Sequence, residues 1–102
     1  MADLSDELLQ LHASFCKGLA DPKRLQIIGV LRDGPRSVGE ICELLDLAQA
    51  NASQHLAILR QRGLARRRRE GQRVYYELTS PKIVEALDLL VEAIHDVAIS
   101  RR

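Results

Sequence analysis

Between Gln49 and Tyr75 the chain concentrates side chains that hydrogen-bond and carry positive charge. Gln49, Asn51, Ser53, Gln54 and His55 stand close together, Arg60 follows, and then come four consecutive arginines, Arg66 to Arg69, with Arg73 and Tyr75 just beyond. Gln and Asn present a donor and an acceptor side by side, the pairing that reads adenine in a DNA groove. Ser and His reach bases or phosphates, and arginine neutralises phosphate. The plain alternative is a solvated polar helix face followed by a charged surface, which is what most charge runs are. A second chemistry belongs to the cysteines. Cys16 lies one helical turn beyond His12, so thiol and imidazole share a face, and Cys42 stands apart. Brought together, two thiolates and an imidazole would hold a soft metal or As(III), or form a redox pair. A disulfide requires Cα atoms within about 7 Å. Against this, free cysteine is among the most buried residue types and packs as a small hydrophobe.

These residues need elements to hold them. Ser5, with Asp6 and Glu7 behind it, starts a first helix that runs to about Leu19, with Leu4, Leu8, Leu11 and Phe15 on one apolar face. Asp21-Pro22 starts a second, since Asp caps and Pro fits the first turn. Leu25, Ile28 and Leu31 are its expected buried stripe, and Gly34-Pro35 stops it. Ser37-Val-Gly-Glu40 reads as a capping box for a third helix, with Val38, Ile41, Cys42 and Leu45 facing inward. A fourth helix spans Gln49 to Gln61, with Ala52, Leu56 and Leu59 inward, and Gly63 ends it. Two strands are expected at about 64–69 and 73–78, with Gly71 supplying the positive φ of a tight hairpin. Val74, Tyr76 and Leu78 should face the core, and Arg73, Tyr75 and Glu77 solvent or DNA. Arg67 and Arg69 share one hairpin face with Ala65; Arg66 and Arg68 share the other with Leu64. Ser80-Pro81 opens a fifth helix, in which Ile83, Leu87, Leu90, Ile94 and Val97 recur at alternating steps of four and three, a coiled-coil seam. Such a helix is too apolar to cover one small core alone. It is expected to pair with its own copy, together with helix one, in a homodimer.

Composition agrees with one small domain: 102 residues, 46% hydrophobic and 28% charged. Aromatics are only 3%, so Leu, Ile, Val and Ala must build the core. The net charge of +1 hides a segregation: residues 1–46 carry five basic and eight acidic side chains, 47–73 seven and one, and 74–102 three and five. One basic segment in a near-neutral chain points to a local polyanion contact. The acidic N-terminus is unlike a signal peptide and no apolar run could span a bilayer, so the cytoplasm is the default location. Two cysteines are too few for a secreted disulfide framework.

Helices three and four form a helix-turn-helix whose second helix would enter the major groove. The order helix–helix–helix–helix–hairpin–helix, with Leu19-Ala-Asp-Pro-Lys-Arg-Leu25, Ser37-Val-Gly-Glu-Ile41, Ser53-Gln-His-Leu-Ala-Ile-Leu-Arg60 and Arg68-Arg-Glu-Gly71 leading to Tyr75-Tyr-Glu-Leu78, closely resembles the ArsR/SmtB family of winged-helix repressors. The resemblance covers nearly the whole chain. It implies a mainly α fold with a β-hairpin wing, residues 1–102 forming a single winged helix-turn-helix domain with terminal dimerisation helices. It implies further a homodimer that binds a palindromic operator in double-stranded DNA and releases it when an effector arrives. DNA contacts then fall to Ser37, Gln49, Asn51, Ser53, Gln54, His55, Arg60, Arg67, Arg69, Arg73 and Tyr75. The dimer interface falls to Leu4, Leu8, Leu11, Ile83, Leu87, Leu90, Ile94 and Val97. One departure is Ala48, where the family usually has a capping Ser before the recognition helix.

The family's effector sites are poorly matched. Its zinc-type positions at the ends of helix five correspond to Ser80, Lys82, Ala93 and Asp96; a cation and a side chain without a donor do not hold zinc. Its arsenic-type Cys-x-Cys positions correspond to Ser37 and Gly39, leaving only Cys42, which matches an accessory third cysteine. Sensing through Cys16 and Cys42, with His12 nearby, remains as thiol redox or sulfur chemistry, or as arsenic or another soft metal. No confident metal site follows, and no Ser–His–Asp set or phosphate loop suggests an enzyme. A winged helix can also serve as a protein-interaction module without DNA. That reading predicts an apolar recognition helix and a wing without concentrated arginine.

Overall fold

The computed structural model describes residues 5–101. Leu4, assigned above to the dimer face, lies outside them. Helix α1 (Asp6–Leu19) begins at Ser5, whose side chain accepts the Leu8 backbone N–H. Helix α2 (Pro22–Val30) begins at Asp21, whose carboxylate accepts the backbone N–H groups of Lys23 and Arg24 at 2.8 and 3.1 Å. Helix N-termini leave donors without partners, and these side chains supply them. A short strand β1 (Arg36–Ser37) leads into α3 (Val38–Leu45), then α4 (Gln49–Gln61), β2 (Ala65–Glu70), β3 (Arg73–Leu78) and α5 (Lys82–Ser100). The capping box at Ser37 is complete. Its Oγ accepts from Glu40 N–H at 3.2 Å, and Glu40 Oε1 accepts from Ser37 N–H at 3.1 Å. Helix α4 has no such support, because Ala48 offers no side-chain cap.

The sheet is three-stranded and antiparallel, in the order β1-β3-β2. Strand β1 was absent from the sequence expectation. Two residues are too few to display alternation, and they become a strand only because the extended backbone before the α3 cap lies against Tyr75 and Tyr76. The hairpin turns through Gly71 at φ 61°, a conformation that favours glycine.

The core gathers Ile27, Ile28, Leu31, Ile41, Leu56, Leu59 and Leu64 under Tyr76, Ile83 and Val84. Each of the larger aliphatic residues contributes roughly 1.5–3 kcal/mol when fully buried. Two expectations are corrected here. Leu25 is 40% exposed, and Ile27 takes its place in the α2 stripe. The buried side of α2 is centred one position away, and Leu25 looks instead into an open apolar groove between α2 and α5. Ile83, assigned to the dimer seam, is 8% exposed within its own chain's core. The first turn of α5 closes the domain, and only later turns are left over: Leu90, Ile94 and Val97 are 53–59% exposed, with Leu87 between the two regimes.

The last turn of α1 docks tightly on the α4–β2 junction. A Cβ added at Gly18 would lie 2.5 Å from Leu64 Cδ1 and 3.2 Å from Arg62 Cβ. The same contact is fastened by Arg62, which donates to Ser14 Oγ at 3.2 Å. Along α5, Arg32 at the end of α2 makes a two-pronged pair with Asp88 at 2.8 and 3.0 Å. No helix among the described residues is long and apolar enough to cross a membrane.

Candidate nucleic-acid interface

Helix α4 divides by burial. Ala52, Leu56 and Leu59 are fully buried, which turns Gln49, Asn51, Ser53 and Gln54 outward, all exposed at the helix's N-terminal end. The helix therefore presents amide and hydroxyl groups on its free face and aliphatic ones to α2 and α3 beneath. Ser37 sits at the start of α3, half-buried, with its oxygen committed to the capping box. Glu40 opposite it is held below the usual carboxylate range, first by the Ser37 backbone N–H and then by the Ser37 hydroxyl, with Arg36 and Arg73 adding positive field.

His55 departs from the outward row. Its side chain is only 21% exposed, with Nδ1 3.4 Å from the Arg24 guanidinium and 4.0 Å from Asp21 Oδ1. Asp21 is itself held below the usual carboxylate range, chiefly by the Arg24 backbone N–H, then by that of Lys23. Arg60, at the far end of α4, is exposed and joins Arg66 and Arg67 along a shallow basic cleft at the root of β2.

The hairpin sorts its arginines by face. Residues paired across an antiparallel ladder lie on the same side of the sheet. Arg67 pairs with Tyr76 and Arg69 with Val74, on the side that carries the core at the sheet's base. Arg66 pairs with Glu77, Arg68 with Tyr75 and Glu70 with Arg73 on the other side. There Arg66 meets Glu77 at 3.0 Å, and Arg68 meets Glu77 at 3.4 Å and Glu70 at 3.0 Å. No carboxylate lies within ion-pair reach of Arg67, Arg69 or Arg73 among the described residues. The four hairpin candidates therefore do not share a face: Arg67 and Arg69 look one way, Arg73 and Tyr75 the other. Sequence reasoning missed Glu77 as the neutraliser of two arginines. The signal was available, because once Gly71 and Gln72 form the turn, counting back along both strands brings Arg66 opposite Glu77.

The thiols are not assembled. Cys16 is exposed on α1 and Cys42 half-buried on α3, both free, and His12 is exposed on α1. Among the described residues no set of three His, Cys, Asp or Glu side chains is placed to hold a metal ion. The His12–Cys16–Cys42 constellation weighed as a soft-metal site is thus not formed within the chain. Helix α3 turns Cys42 toward the domain, whereas Cys16 and His12 point to solvent.

Residues 21–67, from the α2 cap to the middle of β2, match the family model described as "Bacterial regulatory protein, arsR family". The transcriptional activator HlyU of Vibrio cholerae is 45% identical over 72% of this chain and 68% of its own. The biofilm growth-associated repressor of Agrobacterium fabrum is 37% identical over 76% of this chain and 67% of its own. A solution structure described as a homodimeric winged helix-turn-helix DNA-binding domain, from Mycobacterium bovis, covers 100% of this chain and 96% of its own, with 35% identity and a TM-score of 0.77. Five helices, a basic hairpin after the fourth, and relatives that are regulators along most of the chain agree: the protein belongs to the ArsR family of bacterial transcriptional regulators.

Proposed function

We propose that the protein is a sequence-specific DNA-binding repressor, a homodimer on a palindromic operator that lets go when an effector acts on it. The observation that carries the DNA reading is the pairing of α4's outward amides and hydroxyl, Gln49, Asn51, Ser53 and Gln54, with hairpin arginines that have no carboxylate within ion-pair reach among the described residues, Arg67, Arg69 and Arg73. Base edges fall to the first set and phosphates to the second, with Arg60, Ser37 and Tyr75 flanking and His55 at the border. An interaction module would expose apolar residues on α4, and this helix buries them.

The dimer is supported by apolar surface left over after folding: Leu8 and Leu11 on α1, 46% and 57% exposed, and Leu90, Ile94 and Val97 on α5. Large residues of this kind in a row mark an association surface. The homodimeric Mycobacterium bovis domain supports the same reading. Residues 1–102 then act as one domain, and repression needs only that the dimer occupy its site; of the two relatives above, one is named an activator and the other a repressor.

For release, the accessible thiol of Cys16 and the half-buried one of Cys42 are the groups on which an oxidant or sulfur species would act. The deciding experiment is fluorescence anisotropy with labelled duplexes. A palindromic site should bind more tightly than a single half-site and with steep salt dependence, and Gln54→Ala should narrow the gap between preferred and scrambled sequence. Binding that ignores salt and sequence would defeat the DNA reading. If wild type and a Cys16→Ser, Cys42→Ser double variant respond identically to oxidant, release through thiols is wrong.

A further inference from the structure

Arg24 lies half-buried in the first turn of α2, and its guanidinium is divided among three acceptors. Nε donates to the Gly18 carbonyl at 2.7 Å and one terminal nitrogen to the Lys17 carbonyl at 3.2 Å, both in the last turn of α1. The Lys17 carbonyl otherwise accepts only the cap Ala20 N–H at 3.3 Å, and Pro22, four positions after Gly18, has no N–H to give, so the arginine completes that helix end. The other terminal nitrogen lies 3.4 Å from Nδ1 of His55, thirty-one positions later on α4. A guanidinium has donors only. For this contact to be a hydrogen bond, Nδ1 must accept, and the ring proton must sit on Nε2. The neighbouring Asp21 Oδ1, 4.0 Å from Nδ1, already accepts two backbone N–H groups. Among the described residues Nε2 has no hydrogen-bond partner, and none of their unpartnered side-chain polar atoms is buried. Nε2 is therefore open to solvent, one residue after Gln54.

We infer that Arg24 is a positioning residue for the DNA-reading surface. It ties the end of α1 to the recognition helix and holds His55 as the Nε2–H tautomer, so that a single N–H donor is turned out toward a DNA phosphate. The inference rests on the DNA reading for its purpose but not for its geometry. Lysine cannot replace arginine here, because a compact ammonium on a flexible stem does not span three acceptors held by a planar fork.

The test combines nitrogen NMR of the His55 ring in the free protein with operator binding. In the wild type, Nδ1 should resonate as an unprotonated, pyridine-type nitrogen and Nε2 as a protonated one. Arg24→Lys, checked for folding by its melting curve, should give a mixture of tautomers and weaken operator binding by about tenfold, the loss of roughly one charge-assisted hydrogen bond. His55→Gln, whose amide nitrogen falls near Nε2, should bind within about threefold of wild type, whereas His55→Asn, whose amide falls near Nδ1, should lose about tenfold. A proton on Nδ1 in the wild type overturns the inference. So does an Arg24→Lys variant that melts lower with an unchanged tautomer, since Arg24 would then only be a structural tie. Wild type with the Nε2–H form that binds no duplex would leave the ring geometry standing and refute the DNA reading instead.

Discussion

The hairpin offers a test in which two pairs of identical substitutions should behave differently. Arg67 and Arg69 lack carboxylate partners, whereas Arg66 and Arg68 share Glu77 and Glu70 at 3.0–3.4 Å. Each arginine that neutralises a DNA phosphate adds about 0.9 to the slope of log affinity against log salt. Replacing Arg67 and Arg69 by Ala removes four such contacts from a dimer if each meets one phosphate, so the slope should fall by about 3.6. Between 50 and 200 mM salt that is a difference on the order of a hundredfold in how much affinity is lost. The Arg66→Ala, Arg68→Ala protein should lose far less slope, because those arginines are already neutralised and their removal also frees Glu77. Anisotropy titrations of one operator duplex at five or six salt concentrations give both slopes directly. Equal slope losses for the two pairs would refute the argument, since ion pairing within the wing would then have no bearing on contact with DNA.

Other consequences follow from packing and charge. Gly18→Ala should destabilise the fold by about 1–3 kcal/mol in urea titration, because its Cβ would press on Leu64, which is fully buried and has nowhere to move. Leu90→Asp with Ile94→Asp should leave the circular dichroism spectrum unchanged while sedimentation shifts from dimer to monomer, because both side chains are more than half exposed in the single chain. Asp21, Glu40 and Asp88 all have lowered pKa values in the fold, from backbone N–H, Ser37 and Arg32 contacts respectively. Groups of this sign stabilise above the ordinary carboxylate range, and the stabilisation is lost as pH falls through their depressed folded values. Melting temperature should therefore drop steadily from pH 5 downward, and Asp21→Asn should flatten that drop. An Asp21→Asn profile as steep as the wild type would exclude the cap as a source of the pH dependence.

Much of this was legible before the structure, and the exceptions share a cause. The bounds of α4 follow from Ala52, Leu56 and Leu59 at helical spacing and from Gly63 behind them, because local periodicity and one glycine suffice to define them. The capping box at Ser37 and the Asp21-Pro22 start are equally local. Strand β1 was not legible, since a two-residue strand exists only through its partner β3. Leu25 and Ile83 were misplaced for a related reason. Periodicity says that a face is apolar but not whether the neighbour that covers it belongs to the same chain. The seam of α5 reads as uniform in sequence, yet its first turn is spent on its own core. The Arg24–His55 contact lies beyond any pattern, as it joins side chains on elements whose adjacency only the packed structure creates.

That division of α5 constrains how the proposed release would work. The helix is anchored to its own domain at one end by Ile83 and Val84 and further along by the Arg32–Asp88 pair. Helix α1 is anchored at its other end by Gly18 against Leu64 and by Arg24 against His55. Both proposed dimer helices are thus fixed to the body that carries α4, and their exposed apolar turns are the parts free to slide against a second copy. A close-packed body of this kind moves as a unit. A change at the dimer seam would then rotate two intact reading heads and alter their separation without unfolding either one. On the palindromic site proposed above, half-site spacing would set the distance between recognition helices, so a small rotation would be enough to spoil simultaneous contact. Release by loosening α4 within its own domain would require breaking the Gly18 and Arg24 contacts first. Hydrogen exchange separates the two: a rotation leaves the protection of α4 amides in the effector-bound dimer unchanged, whereas loosening lowers it.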